Sequence, residues 1–227
     1  VFEGQYFEEW NPNLHVQRLH CDPTWPRVRC LDWGYSKPGW VGWACMMPNG
    51  RAYVEQELLF RKTLAQEVAK EVKRLTQRRK IRYTVGDSQM WAPDGQSGET
   101  IAETFSRYGV PMIQANKARE IGWQRLRHWL KVMDDGLPQL VFSPECRYAI
   151  RTLPSLVSDP NPNQQEDVDT TGEDHAADAI RYFVMSRPSP ARIPPKVYRP
   201  DQWGAVLSSA ATPRSTVLGA GNVRTSL

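Results

Sequence analysis

Three aspartates stand where they could share a divalent cation. Asp32 ends the apolar run Val28-Arg29-Cys30-Leu31-Asp32-Trp33-Gly34. Asp87 follows Ile81-Arg82-Tyr83-Thr84-Val85-Gly86, and Asp178 lies in Asp174-His175-Ala176-Ala177-Asp178-Ala179-Ile180-Arg181-Tyr182-Phe183. A carboxylate at the end of an apolar element needs a positive partner, because burying its charge alone is costly. If the three converge, they repel one another unless a cation neutralises them, and oxygen ligands suit Mg²⁺ or Mn²⁺. That chemistry is metal-assisted phosphodiester hydrolysis, with Asp32, Asp87 and Asp178 as ligands.

Each acid also has a structural reading. Asp32 can accept hydrogen bonds from backbone or arginine at a strand end. Asp87 can close an Asx turn. Asp174 is four residues before Asp178, which puts both on one helix face. Thr171-Gly172-Glu173-Asp174 also reads as a capping box, so Asp174 is assigned an auxiliary place. His175 can orient a carboxylate or a water, transfer a proton, or fill a polar niche.

The elements that must position these residues follow from periodicity. Val28–Trp33, Trp40–Met47 and Arg51–Phe60 read as strands, the last two joined by the hairpin signal Pro48-Asn49-Gly50. Lys62–Arg79 predicts a helix with Leu64, Val68, Val72 and Leu75 on one side, followed by strand Ile81–Val85. Thr100–Tyr108 predicts a helix closed by Gly109, and Val110–Gln114 a strand. Arg119–Met133 predicts a helix with Trp123, Leu126, Leu130 and Met133 inward. Leu140–Phe142 predicts a strand, Pro144–Leu156 a helix entered through Ser143 and Pro144, Ser158–Gly172 a loop, and Glu173–Met185 a last helix. Hairpin-linked strands followed by strand–helix alternation predict an α/β fold, a mixed β-sheet flanked by helices.

The chain has 227 residues, enough for one large domain, and a net charge of +4. It contains no run of eighteen apolar residues, which excludes a simple membrane-spanning helix. It begins with Val1 and shows no signal-peptide pattern, so the expectation is a piece of a longer polypeptide. Cys21, Cys30, Cys45 and Cys146 lack C-x-x-C spacing and read as reduced thiols rather than a zinc site or disulfide framework. Charge is segregated: residues 61–82 hold nine Lys/Arg against Glu67 and Glu71, whereas residues 159–178 hold seven acids and no Lys or Arg. A basic surface attracts phosphate and an acidic pocket holds cations; the plainer alternative is a solvated helix face beside an acidic loop. The basic helical segments Lys70–Arg82 and Lys117–Lys131 supply the candidate DNA contacts Arg74, Arg78, Arg79, Lys80, Lys117, Arg119, Arg125 and Arg127. Trp91 and Trp123 read as packing residues first and base contacts second. From Arg187 the pattern stops, and the proline-rich basic segment 187–227 reads as a mobile tail.

Taken together, Leu31-Asp32-Trp33-Gly34, Gly86-Asp87, Asn116-Lys117-Ala118-Arg119, Leu140-Val141-Phe142 and the Asp174–Tyr182 segment resemble the nuclease domain of large terminase subunits, the DNA-packaging motors of tailed double-stranded DNA bacteriophages. The resemblance covers roughly residues 1–186. It implies a ribonuclease H-like fold and an endonuclease that cuts concatemeric viral DNA in the host cytoplasm. Asp32, Asp87 and Asp178 are carried over as its three acidic residues. It also implies an amino-terminal packaging ATPase domain, a portal protein and a small terminase subunit as partners. This sequence has no G-x-x-x-x-G-K-[ST], so the ATPase would lie outside it. Two alternatives are another ribonuclease H-like enzyme, such as a Holliday-junction resolvase or transposase, and a non-catalytic DNA-gripping or docking module.

Overall fold

A six-stranded mixed sheet forms the centre of the computed structural model, which describes residues 4–93, 98–161, 166–169 and 171–187. The strands are β1 (Arg27–Asp32), β2 (Gly39–Met46), β3 (Ala52–Phe60), β4 (Ile81–Gly86), β5 (Ile113–Gln114) and β6 (Leu140–Phe142). Their order is β5-β4-β1-β2-β3-β6. The meander β1–β2–β3 is antiparallel; β4 runs parallel to β1, β5 parallel to β4, and β6 parallel to β3. β1 and β2 are buried throughout, as expected of central strands covered on both faces. Gly50, at φ +87°, supplies the left-handed residue for the β2–β3 turn.

Helices α2 (Ala65–Thr76) and α3 (Ile101–Arg107) cover one face; α4 (Arg119–Leu130), α5 (Arg147–Thr152) and α6 (His175–Ser186) belong to the other. On the first side Leu31, Val41 and Trp43 meet Val68, Val72 and Phe105. On the second Val28, Cys30 and Trp40 meet Trp123, Leu126, Ile180 and Phe183. Ala176, Ala177 and Ala179 are fully buried and let α6 lie close to β1. The fold is therefore the expected α/β sheet with helices on both faces.

Several boundaries differ from expectation. α2 starts at Ala65 because Lys62 is left-handed (φ 52°), which leaves Leu64 outside the helix and exposed. It stops before Gln77, also left-handed at φ 50°. Only Ile113 and Gln114 of the 110–114 stretch join the ladder. The helix expected from Pro144 begins at Arg147, since Ser143 organises a turn that receives the Glu145 and Cys146 amides. The segment before β1 carries a short helix, α1 (Pro12–His15), and three core aromatics, Tyr6, Phe7 and Trp10. It runs beside the β6 edge, with Val16 bridged to Phe142. The predicted tail, 187–227, lies outside the described residues apart from Arg187.

Candidate metal and nucleic-acid site

Parallel pairing brings the first two aspartates together. Asp32 is the last residue of β1, and the Asp87 amide donates to Leu31 O (3.1 Å), so Asp87 continues the β4 ladder alongside it. Helix α6 packs against β1, β2 and β4 and adds Asp178, with Asp174 at its N-cap. Asp32, Asp87, Asp174 and Asp178 line one cavity of about 370 Å³, together with His175, Lys37, Lys117, Arg119 and Arg181. Asp32, Asp87 and Asp174 are each at most 7% exposed.

Asp32, Asp87 and Asp178 are each tethered at one oxygen. His175 Nδ1 lies 3.1 Å from Asp32 Oδ2. Asp87 Oδ1 accepts from the Gln89 amide (3.1 Å) and from Lys117 Nζ (2.7 Å), so the Asx turn forms as well. Asp178 Oδ1 accepts from Arg181 Nε (3.0 Å) and Nη2 (2.7 Å), while Arg119 Nη1 stands 3.9 Å from Oδ2. Asp174 forms no cap bond through its side chain, and Glu173 pairs with Arg151, so the expected capping box is absent. The reason is that α6 starts at His175 with Asp174 itself at the cap, in a helical rather than extended conformation. Its carboxylate is left in the cavity.

Electrostatics reflect the burial of these acids and their closeness to one another. Burial raises the Asp32 carboxyl to about 6; Asp178 and Asp87 add to the rise, and the His175 hydrogen bond opposes it. Burial, then Asp178, raises Asp174. His175 is raised by its bond to Asp32. Burial works against the charge of Arg119, but Asp167 and Asp178 outweigh it and leave its pKa raised. Hard oxygen donors with a spare oxygen each, in a cavity that destabilises their negative charge, suit Mg²⁺ or Mn²⁺.

The candidate DNA contacts divide. Arg78, Lys80 and Lys117 are exposed, and Arg74 pairs with Glu71 at the surface. Arg79 binds Glu55 and Leu75 O, and Arg127 binds Glu9. Arg125 donates to the carbonyls of Val184, Met185 and Arg187 at the end of α6. Arg119 bonds Asp167 and stacks on Trp123. Trp123 itself is fully buried, and its indole donates to Asp167. Trp91 packs against the core under α2 and α3.

Arg181 carried no assigned role in the sequence, yet it holds Asp178 from three residues away. The signal was a cation one helical turn from a candidate ligand. The described residues contain one group of thiols and acids whose ligand atoms lie within 4.8 Å of one another: Cys21, Cys45 and Glu55. Arg27 and Arg79 already take the Glu55 carboxylate there. All four cysteines are free.

Solved structures share this architecture. The large terminase of a thermophilic bacteriophage superposes with a TM-score of 0.65 at 18% identity, covering 81% of this chain and 45% of the other. The phage P22 large terminase nuclease domain gives 0.64 at 17% identity, over 82% of this chain and 93% of the domain. The chain has the fold of the large-terminase nuclease domains. A further match, the large terminase nuclease of thermophilic phage G20c with bound magnesium, gives 0.58 at 12% identity over 81% and 98%. The chain thus spans under half of the longer terminase, and most of the isolated nuclease domains. No family model matches it, and no curated protein does by sequence. Among the described residues, no helix is long and apolar enough to cross a membrane.

Proposed function

We propose that this chain is a divalent-metal-dependent endodeoxyribonuclease, the nuclease part of a large terminase that cuts concatemeric viral double-stranded DNA during genome packaging. The observation that carries the reading is the convergence of Asp32, Asp87, Asp174 and Asp178, from three separate segments, on one cavity. The same fold occurs in a phage nuclease solved with magnesium and in one solved with cobalt.

In this reading Asp32, Asp87 and Asp178 hold one or two Mg²⁺ or Mn²⁺ ions, with Asp174 auxiliary. Divalent ions supply charge neutralisation at a scissile phosphate and acidify water for in-line attack. His175 fixes the orientation of Asp32 through Nδ1, and Arg181 fixes that of Asp178. Lys117, exposed at the cavity mouth, draws the DNA backbone in, with Arg78 and Lys80 giving sequence-independent attraction. Residues 1–186 are the nuclease domain and 187–227 a basic tail for docking. The packaging ATPase, the portal protein and the small terminase subunit are the partners that follow, in the host cytoplasm.

Plasmid digestion tests this. With Mn²⁺ or Mg²⁺ the wild type should relax and linearise supercoiled plasmid, and EDTA should stop it. Asp32→Asn, Asp87→Asn and Asp178→Asn should each lower the rate by at least about a thousandfold. Retained cleavage in all three would overturn the assignment. Asp32→Asn should also be more stable than wild type in EDTA at pH 7, by on the order of 2 kcal/mol. The folded carboxyl, at about 6, lies above its ordinary 3.8. Its stabilising proton is therefore present at low pH and lost as pH rises from about 4 to 6, where only wild type should weaken from this source.

A further inference from the structure

Arg29 breaks an otherwise apolar strand. It lies on the side of the sheet covered by α2, away from the aspartate cavity, and is 4% exposed. Its guanidinium donates to Thr84 Oγ1 (2.9 Å) and Thr76 Oγ1 (3.1 Å), both neutral. Among the described residues no carboxylate lies within 4.0 Å of it. The other arginines this deeply buried are paired: Arg27 with Glu55, and Arg181 with Asp178. Burial lowers the Arg29 pKa to about 10, with no acid to restore it, and the group is still charged at neutral pH. A buried cation without an anion is costly, so the missing charge points outward.

Arg29 opens on a cavity of about 340 Å³ whose wall also carries Lys73, Gln77, Arg82 and Tyr83. It has three cations and no acid among its lining residues. Lys73 and Arg82 are exposed. The left-handed Gln77 that ends α2 lies in the same wall. A guanidinium set beneath two exposed cations suits a multiply charged tetrahedral anion with several acceptor oxygens.

We propose that the cavity formed by Arg29, Lys73, Gln77 and Arg82 is a phosphate seat, separate from the aspartate cavity. It takes a single phosphate group, with Arg29 as its base and Lys73 and Arg82 as its rim. The phosphate comes either free or from a nucleic-acid backbone, and two probes distinguish these sources. The proposal does not depend on cleavage, because every measurement is made in EDTA.

Thermal unfolding of the wild type is followed with inorganic phosphate, and separately with a short duplex lacking terminal phosphates, at ionic strength fixed by sodium chloride. Phosphate at about thirty times its dissociation constant should raise Tm by roughly 5 °C. A rise with phosphate identifies a free group, and a rise with the duplex alone identifies a backbone phosphate. With phosphate, Arg29→Met and the rim double variant Lys73→Ala/Arg82→Ala should rise no more than the chloride control, and with the duplex they should rise less than wild type, while Asp32→Asn responds as wild type. The rim variant changes exposed side chains only, so it reports even if Arg29→Met folds poorly. A wild type that follows the chloride control with both probes, or a full rise in the rim variant, overturns the proposal.

Discussion

Arg181 and Arg29 are buried on opposite faces of the same sheet, yet their surroundings are reversed. Arg181, 1% exposed, binds Asp178 through Nε and Nη2 and stacks on the Trp123 and Tyr182 rings, each 4.8 Å away. Arg29 has two hydroxyls and open space. On the α6 face buried carboxylates and cations stand together in one cavity, and Arg181 has its acid beside it. On the α2 face the protein supplies positive charge and is completed by an anion. The uneven charge along the sequence thus becomes a division between two sides of a sheet.

The comparison breaks most directly on the arginines themselves. Arg181→Met strands the Asp178 carboxylate in a part-buried site and should cost about 3 kcal/mol in urea denaturation. Arg29→Met removes an uncompensated charge. Thr76 keeps its bonds to Val72 O and from Trp43 Nε1 after the change. That variant should stay within about 1 kcal/mol of wild type, or exceed it, without phosphate. Equal losses for the two would mean that the Arg29 charge is satisfied within the chain.

A smaller effect sharpens the Arg181 side. A Cβ at Gly122 would sit 2.7 Å from Arg181 Cγ and 2.8 Å from Cδ. Gly122→Ala should therefore cost about 1–3 kcal/mol by overpacking and shift the guanidinium off Asp178. In an Arg181→Ala background, where those atoms are gone, the same change should cost less. Additive losses would show that the helix backbone, and not Arg181, sets the contact.

The strands of the meander, and Asp32 and Asp87 at strand ends, were legible because an apolar run ending in a carboxylate is a local pattern, whereas Asp178 reaches the same cavity from within α6. Asp32 and Asp87 needed only the parallel pairing of their strands to meet. The burial of Tyr6, Phe7 and Trp10 was not legible, since aromatics in an aperiodic segment gain their place from the β6 edge and from α4, far away in sequence. Helix ends were misjudged where left-handed Lys62 and Gln77 overrode a continuing apolar period. The partners of Arg79, Arg125 and Arg127 were invisible for a related reason. A basic residue on a helix looks the same in sequence whether it faces solvent or Glu9. Arg29 was visible as a charge inside a strand, but its lack of an acid is a property of the folded neighbourhood alone.

The smallest predicted effect concerns the one exposed cation that, among the described residues, touches a candidate ligand directly. Lys117 Nζ lies 2.7 Å from Asp87 Oδ1, with 39% of its side chain exposed. Water screens the part-exposed Lys117 ammonium, and the buried Asp87 keeps the Gln89 amide, so Lys117→Ala should cost only about 1 kcal/mol. Its ammonium nevertheless competes with any metal ion for Asp87. Removing it should tighten Mn²⁺ binding about two- to fivefold in a calorimetric titration without DNA. Cleavage at saturating Mn²⁺ should fall at the same time, because a backbone contact is lost, and its salt dependence should flatten. The two readouts move in opposite directions, which a general disturbance of the site would not produce. Unchanged or weaker Mn²⁺ binding would mean that Asp87 serves the turn at Gln89 and does not hold the ion.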